Sequence, residues 1–265
     1  ALLDVTDPGR AVSLAEQFMQ DHALVFPVVL KPDQGERGSG VEMIKSAAEL
    51  SSYLRDAELP TIIQKFQPGI EFGVFYYRMP NEAKGKIFAI TDKARVVLQG
   101  NGAETLETLI FNDERAVCML DCHLHKHRDS LLRIPAKDEQ IELVEVGTHS
   151  RGCVFLDGMH RWTPALEASI EKISRHFEGF YFGRYDIMVD SPAALAEGRD
   201  LKVLELNGVT SEATSIYDPK NSAFTAWGIL FRQWRIAFEI GAQNRQAGLK
   251  PYGILPLLKL LRAAP

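Results

Sequence analysis

Apolar positions recur every three or four residues between Asp7 and Asp21, where Ala11, Leu14, Ala15 and Phe18 make one face of a helix. Asp7 is placed to cap that helix, and Pro8 suits its first turn. The run Phe26-Pro-Val-Val-Leu then reads as a short buried strand, and Val41-Glu-Met-Ile as a second one. Between them lies a loop with glycines at Gly35, Gly38 and Gly40. A helix is predicted from Ser46 to about Asp56, with Leu50, Tyr53 and Leu54 facing inward. Thr61-Ile-Ile-Gln-Lys-Phe is rich in strand formers and ends at the Pro68-Gly69 turn.

Beyond that turn the period changes. Two long alternating stretches, about 71–78 and 85–93, predict a hairpin around Pro80-Asn81. Two helices are expected between Glu104 and Ser130, and another from Pro164 to Phe177. A second hairpin pairs 180–189 with 201–207 across an alanine-rich loop. The last long helix has Trp227, Leu230, Phe231, Trp234 and Phe238 at helical spacing, which reads as a core stripe. The short apolar tail from Gly253, broken by Pro256 and Lys259, reads as a packed C-terminal segment. The pattern as a whole predicts an α+β chain with a small lobe over 1–67 and a larger one over 68–265.

Composition narrows the class. The chain has 265 residues, of which 46% are hydrophobic and 25% charged, as in ordinary globular proteins. A net charge of −5 gives no basic field, so a nucleic-acid partner is not expected. Cys118, Cys122 and Cys153 form neither a C-x-x-C pair nor an even disulfide set, so reduced thiols and a cytoplasmic setting are expected. No apolar run approaches the roughly 18 residues of a membrane span, so no membrane insertion is expected. The chain opens at Ala1 without a methionine or signal peptide, which raises the expectation of an upstream domain.

Three stretches carry candidate chemistry. In Lys31-Pro-Asp-Gln-Gly-Glu-Arg-Gly-Ser-Gly, a lysine at a strand end supplies positive charge. Glycines there let backbone N–H groups approach an oxyanion without a Cβ in the way. Arg37 and Ser39 add donors. The loop is neither a P-loop nor a dinucleotide fingerprint, and a plain glycine turn is the competing explanation. In the second stretch, Gln64, Lys65 and Phe66 lie on a strand edge that can face a purine. Glu71, a few residues on, can accept ribose hydroxyls; a solvated strand–turn–strand is the alternative.

The third stretch is the sharpest. Gly183-Arg-Tyr-Asp and Leu204-Glu-Leu-Asn-Gly fall on the two strands of the second hairpin. Glu205 and Asn207 are two apart and share a face, and Asp186 joins them if the hairpin pairs in the expected register. Two carboxylates and an amide oxygen are hard ligands that suit magnesium. Arg184 shares the parity of Asp186 and can stabilise charge on a transferring phosphoryl group. Thr210, Ser211, Thr214 and Ser215 follow as the mouth of a site.

Taken in order, these stretches resemble the ATP-grasp superfamily, in the branch of D-alanine–D-alanine ligase and cyanophycin synthetase. The similarity runs from about Phe26 to Asn221 and includes the segment from Val97 to Ile110. The resemblance implies an ATP-grasp fold, two α/β lobes with the nucleotide between their sheets, using ATP and one or two Mg2+ ions. It implies that Lys31 contacts the phosphates and acts in catalysis, under a mobile loop formed by Gly35, Arg37, Gly38, Ser39 and Gly40. Gln64, Lys65 and Phe66 would line the adenine pocket, Glu71 would take the ribose, and Lys93 would add a phosphate contact. Arg184 would face the acyl phosphate, and Asp186, Glu205 and Asn207 would hold magnesium. Two departures stand out: no N-terminal domain is visible, and the Ser191–Gly198 insertion lengthens the loop between Asp186 and Glu205.

The implied reaction is phosphoryl transfer to a substrate carboxylate followed by attack of an amine, releasing ADP. Its partners are small amino-acid or peptide-like substrates; a homodimer and a fused upstream domain also fit the family. His149, Arg151 and Ser211 are candidate substrate contacts, with an ordinary surface loop as the competing explanation for the first two. Two alternatives remain: a nucleotide-binding regulatory module without turnover, and an ATP-grasp phosphotransferase. His123, His125 and His127 alternate along a helix, where i and i+2 do not share a face, so no zinc is expected.

Overall fold

The computed structural model describes residues 1–35, 38–143 and 153–263, with side chains placed as far as Leu260. The chain begins with β1 (Leu2–Leu3), α1 (Pro8–Asp21), β2 (Val28–Pro32), β3 (Glu42–Ile44), α2 (Ala47–Asp56) and β4 (Thr61–Lys65). Then come β5 (Ile70–Tyr77), β6 (Lys86–Ala94), β7 (Val97–Gln99), α3 (Leu106–Asn112), α4 (Leu120–His127) and β8 (Gln140–Glu142). The remainder is β9 (Val154–Asp157), α5 (Pro164–Ser174), β10 (Phe182–Val189), α6 (Pro192–Ala196), β11 (Lys202–Asn207), α7 (Ala223–Gln246) and α8 (Ile254–Ala263). These elements fall into two compact units, Ala1–Gly69 with Lys93–Phe155, and Ile70–Asp92 with Leu156–Pro265.

In the first unit a four-stranded antiparallel sheet has the order β1-β4-β2-β3. Alternation sends Val28, Leu30 and Ile63 to one face, where they are buried with Ala11, Ala15, Leu50 and Leu54 of α1 and α2. Both helices start as the sequence predicts: Asp7 accepts from the Arg10 amide and Ser46 from the Glu49 amide. A separate cluster in this unit joins Leu106, Ile110, Leu143 and Phe155. Cys153 is buried in it, at the end of what the sequence presents as a polar loop.

The second unit is built on a five-stranded sheet in the order β11-β10-β5-β6-β9. Odd positions of β10, Tyr185, Ile187 and Val189, join even positions of β5, Phe72, Val74 and Tyr76, against Leu166 and Ile170 of α5. Burying each such side chain stabilises the unit by roughly 1.5–3 kcal/mol. The core therefore takes one face of the sheet and releases the other for polar residues. On that other face, Phe75, Ala89 and Phe182 pack with Ile229, Ile236 and Ile240 of α7, so α7 covers one end only.

Three features differ from the sequence reading. The alanine-rich stretch between the strands of the second hairpin forms α6, capped by Ser191 and started by Pro192. The stripe of Trp227, Phe231, Trp234 and Phe238 is not core: all four are exposed. Helix α7 has two apolar stripes of the same spacing, and the one that packs is Ile229, Gln233, Ile236 and Ile240. Leu230, which the sequence grouped with the aromatics, is half-buried. The C-terminal segment is likewise unpacked, with every side chain from Pro251 to Leu260 exposed.

Candidate functional site

The register of the second hairpin sets Asp186 directly opposite Glu205, and Arg184 opposite Asn207. Directly paired residues of an antiparallel ladder point to the same side, so all four occupy the face that α5 does not cover. On the other side of β10, Asp186 pairs with Gly73, Arg184 with Phe75 and Met188 with Glu71, while Gly73 pairs in turn with Thr91. Glu71 and Thr91 thus share this face. A bulge follows the Asp186–Glu205 pair at once, because Ile187 pairs with Val203 and leaves Leu204 as the extra residue. Bulges re-aim side chains and are frequent beside functional sites.

Asp186 is nearly buried, a costly position for a carboxylate without partners. Arg184 Nε donates to its Oδ1 at 3.2 Å, and Asn207 Nδ2 approaches its Oδ2 at 3.4 Å. Arg184 is fixed at its far end by donating through Nη1 to the Glu212 carbonyl at 3.0 Å. That carbonyl is itself held in place. The buried side chain of Gln233 accepts from the Ala213 amide at 2.8 Å and donates to the Ser211 carbonyl at 2.9 Å. Thr214 donates to Thr91 at 3.0 Å and tethers the same loop to β6. Ser211 spends its hydroxyl proton within the turn, 2.6 Å from the Gly208 carbonyl.

None of these loop supports was expected from the sequence. Gly73 carries a signal in the sequence, since a glycine inside a strand marks close approach. A Cβ there would stand 3.4 Å from Thr91 Cβ and 3.5 Å from Arg184 Cδ. Asp92 is another group the sequence did not flag. Arg161 Nε donates to both of its oxygens, at 2.9 and 2.8 Å, which raises the arginine pKa further.

The donor set suits a hard divalent cation. Two carboxylates directly opposite one another repel unless a positive charge lies between or beside them. Asp186 has Arg184, whereas Glu205 is exposed on the edge strand. Magnesium typically uses one or two protein carboxylates and leaves its other positions to water and phosphate. Among the described residues no three His, Cys, Asp or Glu side chains cluster, so the third protein donor would be Asn207. His123 is buried and His125 exposed, and these alternating histidines do not converge.

In the first unit Lys31 pairs with Ile62 and Val29 with Gln64. Lys31 and Gln64 therefore share the sheet face opposite α1 and α2, while Lys65, opposite Val28, has the other parity. Phe66 is half-buried just past the strand. Gly38 and Gly40 have φ of 72° and 69°, in the left-handed region that favours glycine. At Gly40 a Cβ would fall 2.7 Å from Pro32 Cγ, and its carbonyl accepts from the Tyr53 hydroxyl at 2.6 Å. Gly35 and Ser39 are exposed. A hollow of about 520 Å3 beside Gly40 is lined by Glu42, Glu49, Asp56 and Glu58, a negative surround unsuited to phosphate. Lys93 Nζ lies 5.7 Å from the Phe155 ring centre. Arg37, His149 and Arg151 lie outside the described residues.

No protein-family model and no curated protein matches the chain. Solved structures do. A bifunctional glutathione synthetase from Pasteurella multocida matches 89% of this chain and 33% of its own, at 14% identity and a TM-score of 0.44. A D-alanine–D-alanine ligase from Bacillus anthracis matches 87% of this chain and 59% of its own, at 16% identity and a TM-score of 0.48. One from Helicobacter pylori matches 88% and 54%, at 15% identity and a TM-score of 0.41. These are ATP-grasp enzymes. The chain spans from a third to about three fifths of their length. At such identities no residue's role is carried across, and the site rests on this chain's own geometry.

Proposed function

We propose that this chain is the ATP- and magnesium-binding body of a carboxylate–amine ligase, ADP-forming and cytoplasmic, with residues 1–67 as its smaller lobe and 68–265 as its larger. The observation that carries the proposal is the direct pairing of Asp186 with Glu205 on one sheet face beside Arg184 and Asn207. When bound, magnesium would neutralise phosphate charge during transfer to the substrate carboxylate. Asp186, Glu205 and Asn207 would hold it. Arg184, anchored between Asp186 and the Glu212 carbonyl, presents a fixed positive charge to a developing acyl phosphate. Lys31 and the glycine loop 35–40 would bind phosphates, Gln64, Lys65 and Phe66 the base, and Glu71 the ribose, with Lys93 as a further phosphate contact. His149, Arg151 and Ser211 remain candidates for the amino-acid or peptide-like substrates. No covalent nucleophile is needed, because positioning and charge neutralisation suffice for this chemistry.

The test is calorimetric titration of a non-hydrolysable ATP analogue with and without magnesium, on the wild type and on Asp186→Asn. Magnesium should tighten nucleotide binding at least tenfold in the wild type and hardly at all in the variant. Equal binding with and without the metal by folded wild-type protein would overturn the metal assignment. A subsequent screen of amino-acid pairs for ADP release with acyl joining separates a ligase from a phosphotransferase, which would leave a stable phosphorylated product.

A further inference from the structure

Helix α7 is 24 residues long, or about 36 Å, and only one of its two apolar stripes is used inside the protein. The other, Phe224, Trp227, Phe231, Trp234 and Phe238, follows strict 3-4-3-4 spacing and is exposed throughout, with Phe231 and Phe238 at 77% and 76%. Part of it lines a shallow trough of about 480 Å3 with Arg235, Glu239 and Ala242. After α7 come Leu249 and Tyr252, also exposed, and then the leucine-rich helix α8, whose Ile254, Leu255 and Leu258 are exposed as well. Exposed apolar surface of this extent marks an interaction face.

Charge identifies the partner. From Ala223 to the chain end there are six basic residues, Arg232, Arg235, Arg245, Lys250, Lys259 and Arg262, and a single acid, Glu239. The segment is therefore net +5 within a chain of net −5, which leaves residues 1–222 at net −10, so the excess of positive charge lies on the elements that expose aromatic and leucine side chains. Aromatic and leucine side chains beside arginine and lysine are the composition of helices that lie in the interface of an anionic bilayer. Trp and Phe rings favour the headgroup level, and long basic side chains can reach lipid phosphates from there. A second copy would bring the same positive segment against itself, which electrostatics opposes. Spanning is not an option either: among the described residues no helix is long and apolar enough to cross a membrane.

We propose that the α7 aromatic stripe and α8 form a peripheral docking surface for membranes rich in anionic phospholipid. The face holds the protein at the lipid surface without crossing it. The experiment is flotation of the full chain with vesicles of phosphatidylcholine alone or with about one third phosphatidylglycerol, with tryptophan emission followed in parallel. Two of the chain's three tryptophans, Trp227 and Trp234, lie on the stripe, so binding should shift emission to the blue. The protein should float with the anionic vesicles and remain behind with neutral ones, and salt should weaken the binding. Each basic side chain near such a surface is worth a factor of about five, so Lys250→Gln with Lys259→Gln should lower partitioning more than about tenfold. Phe231→Ser with Phe238→Ser, both at exposed positions, should abolish flotation and the blue shift while leaving the thermal midpoint unchanged. Folded wild-type protein that ignores anionic vesicles, or floats equally with neutral ones, would overturn the proposal. So would a stable dimer that the phenylalanine variant dissolves and that binds no vesicles, which would assign the face to a second copy.

Discussion

Asp186 and Glu205 face each other in a ladder position where two negative charges are mutually unfavourable by about 0.2–1 kcal/mol. Removing one of the two charges leads to a prediction with opposite signs in two conditions. Glu205→Gln removes the repulsion, so without magnesium the variant should melt at the wild-type temperature or slightly above it. With magnesium and an ATP analogue present, the wild type gains stability by mass action, and the variant should gain far less. Differential scanning fluorimetry in the two buffers reads both. A variant that is destabilised without metal would mean that Glu205 is simply a structural residue. The Arg184, Asp186, Glu205 and Asn207 set was legible in the sequence because strand alternation alone places it on one face. Its supports were not legible. Thr91 and Thr214 are 123 positions apart, and no local pattern announces a hydrogen bond between them.

Helix α7 shows why periodicity underdetermines packing at the scale of an element. Its two apolar stripes have the same spacing, and the aromatic one looks the more hydrophobic, yet the inner stripe contains the polar Gln233. That glutamine, fully buried, satisfies one amide and one carbonyl of the loop leading to Arg184. Leaving two buried backbone groups without partners costs about 1–3 kcal/mol each. Gln233→Ala should therefore lower stability by about 2–4 kcal/mol in urea denaturation and also weaken magnesium-dependent nucleotide binding through the released loop. Phe231→Ser on the outer stripe should change stability by less than about 0.5 kcal/mol. The reverse ranking would mean that the aromatic stripe is core after all. The short helix α6 is a different case. Its Ser191-Pro192 start was readable as a cap and first turn, but five residues are too few for a periodic signal. The two hairpins were legible, since alternation over eight or nine residues, as in β5, β6 and β10, is hard to mistake.

For the whole molecule, two sets of titrating groups act on stability in the same direction but begin to act at different pH values. His123 is buried in α4, and burial first, then the positive charges of His127, Lys126 and Arg115, push its pKa below the usual 6.5. The unfolded chain then binds a proton that the folded chain refuses, so stability begins to fall as pH drops below about 6.5 and continues to fall until His123 protonates in place. Glu171 behaves as a depressed carboxylate. Burial works to raise its pKa, but hydrogen bonds from Tyr76, the Gly85 amide and Arg175 outweigh it and hold the carboxyl below its usual 4.5. Its contribution is complete above about pH 4.5 and is lost as pH falls through the folded value. Asp218, held down by the Asp157 and Lys220 amides, adds to the same acid window. The thermal midpoint plotted against pH should thus fall in two stages. His123→Phe should flatten the stage that begins as pH drops below about 6.5 and leave the acid stage in place, whereas Glu171→Gln should shrink only the acid stage. A histidine variant that retains the upper stage would show that His123 already has a compensating partner, and the burial argument would then fail at that residue.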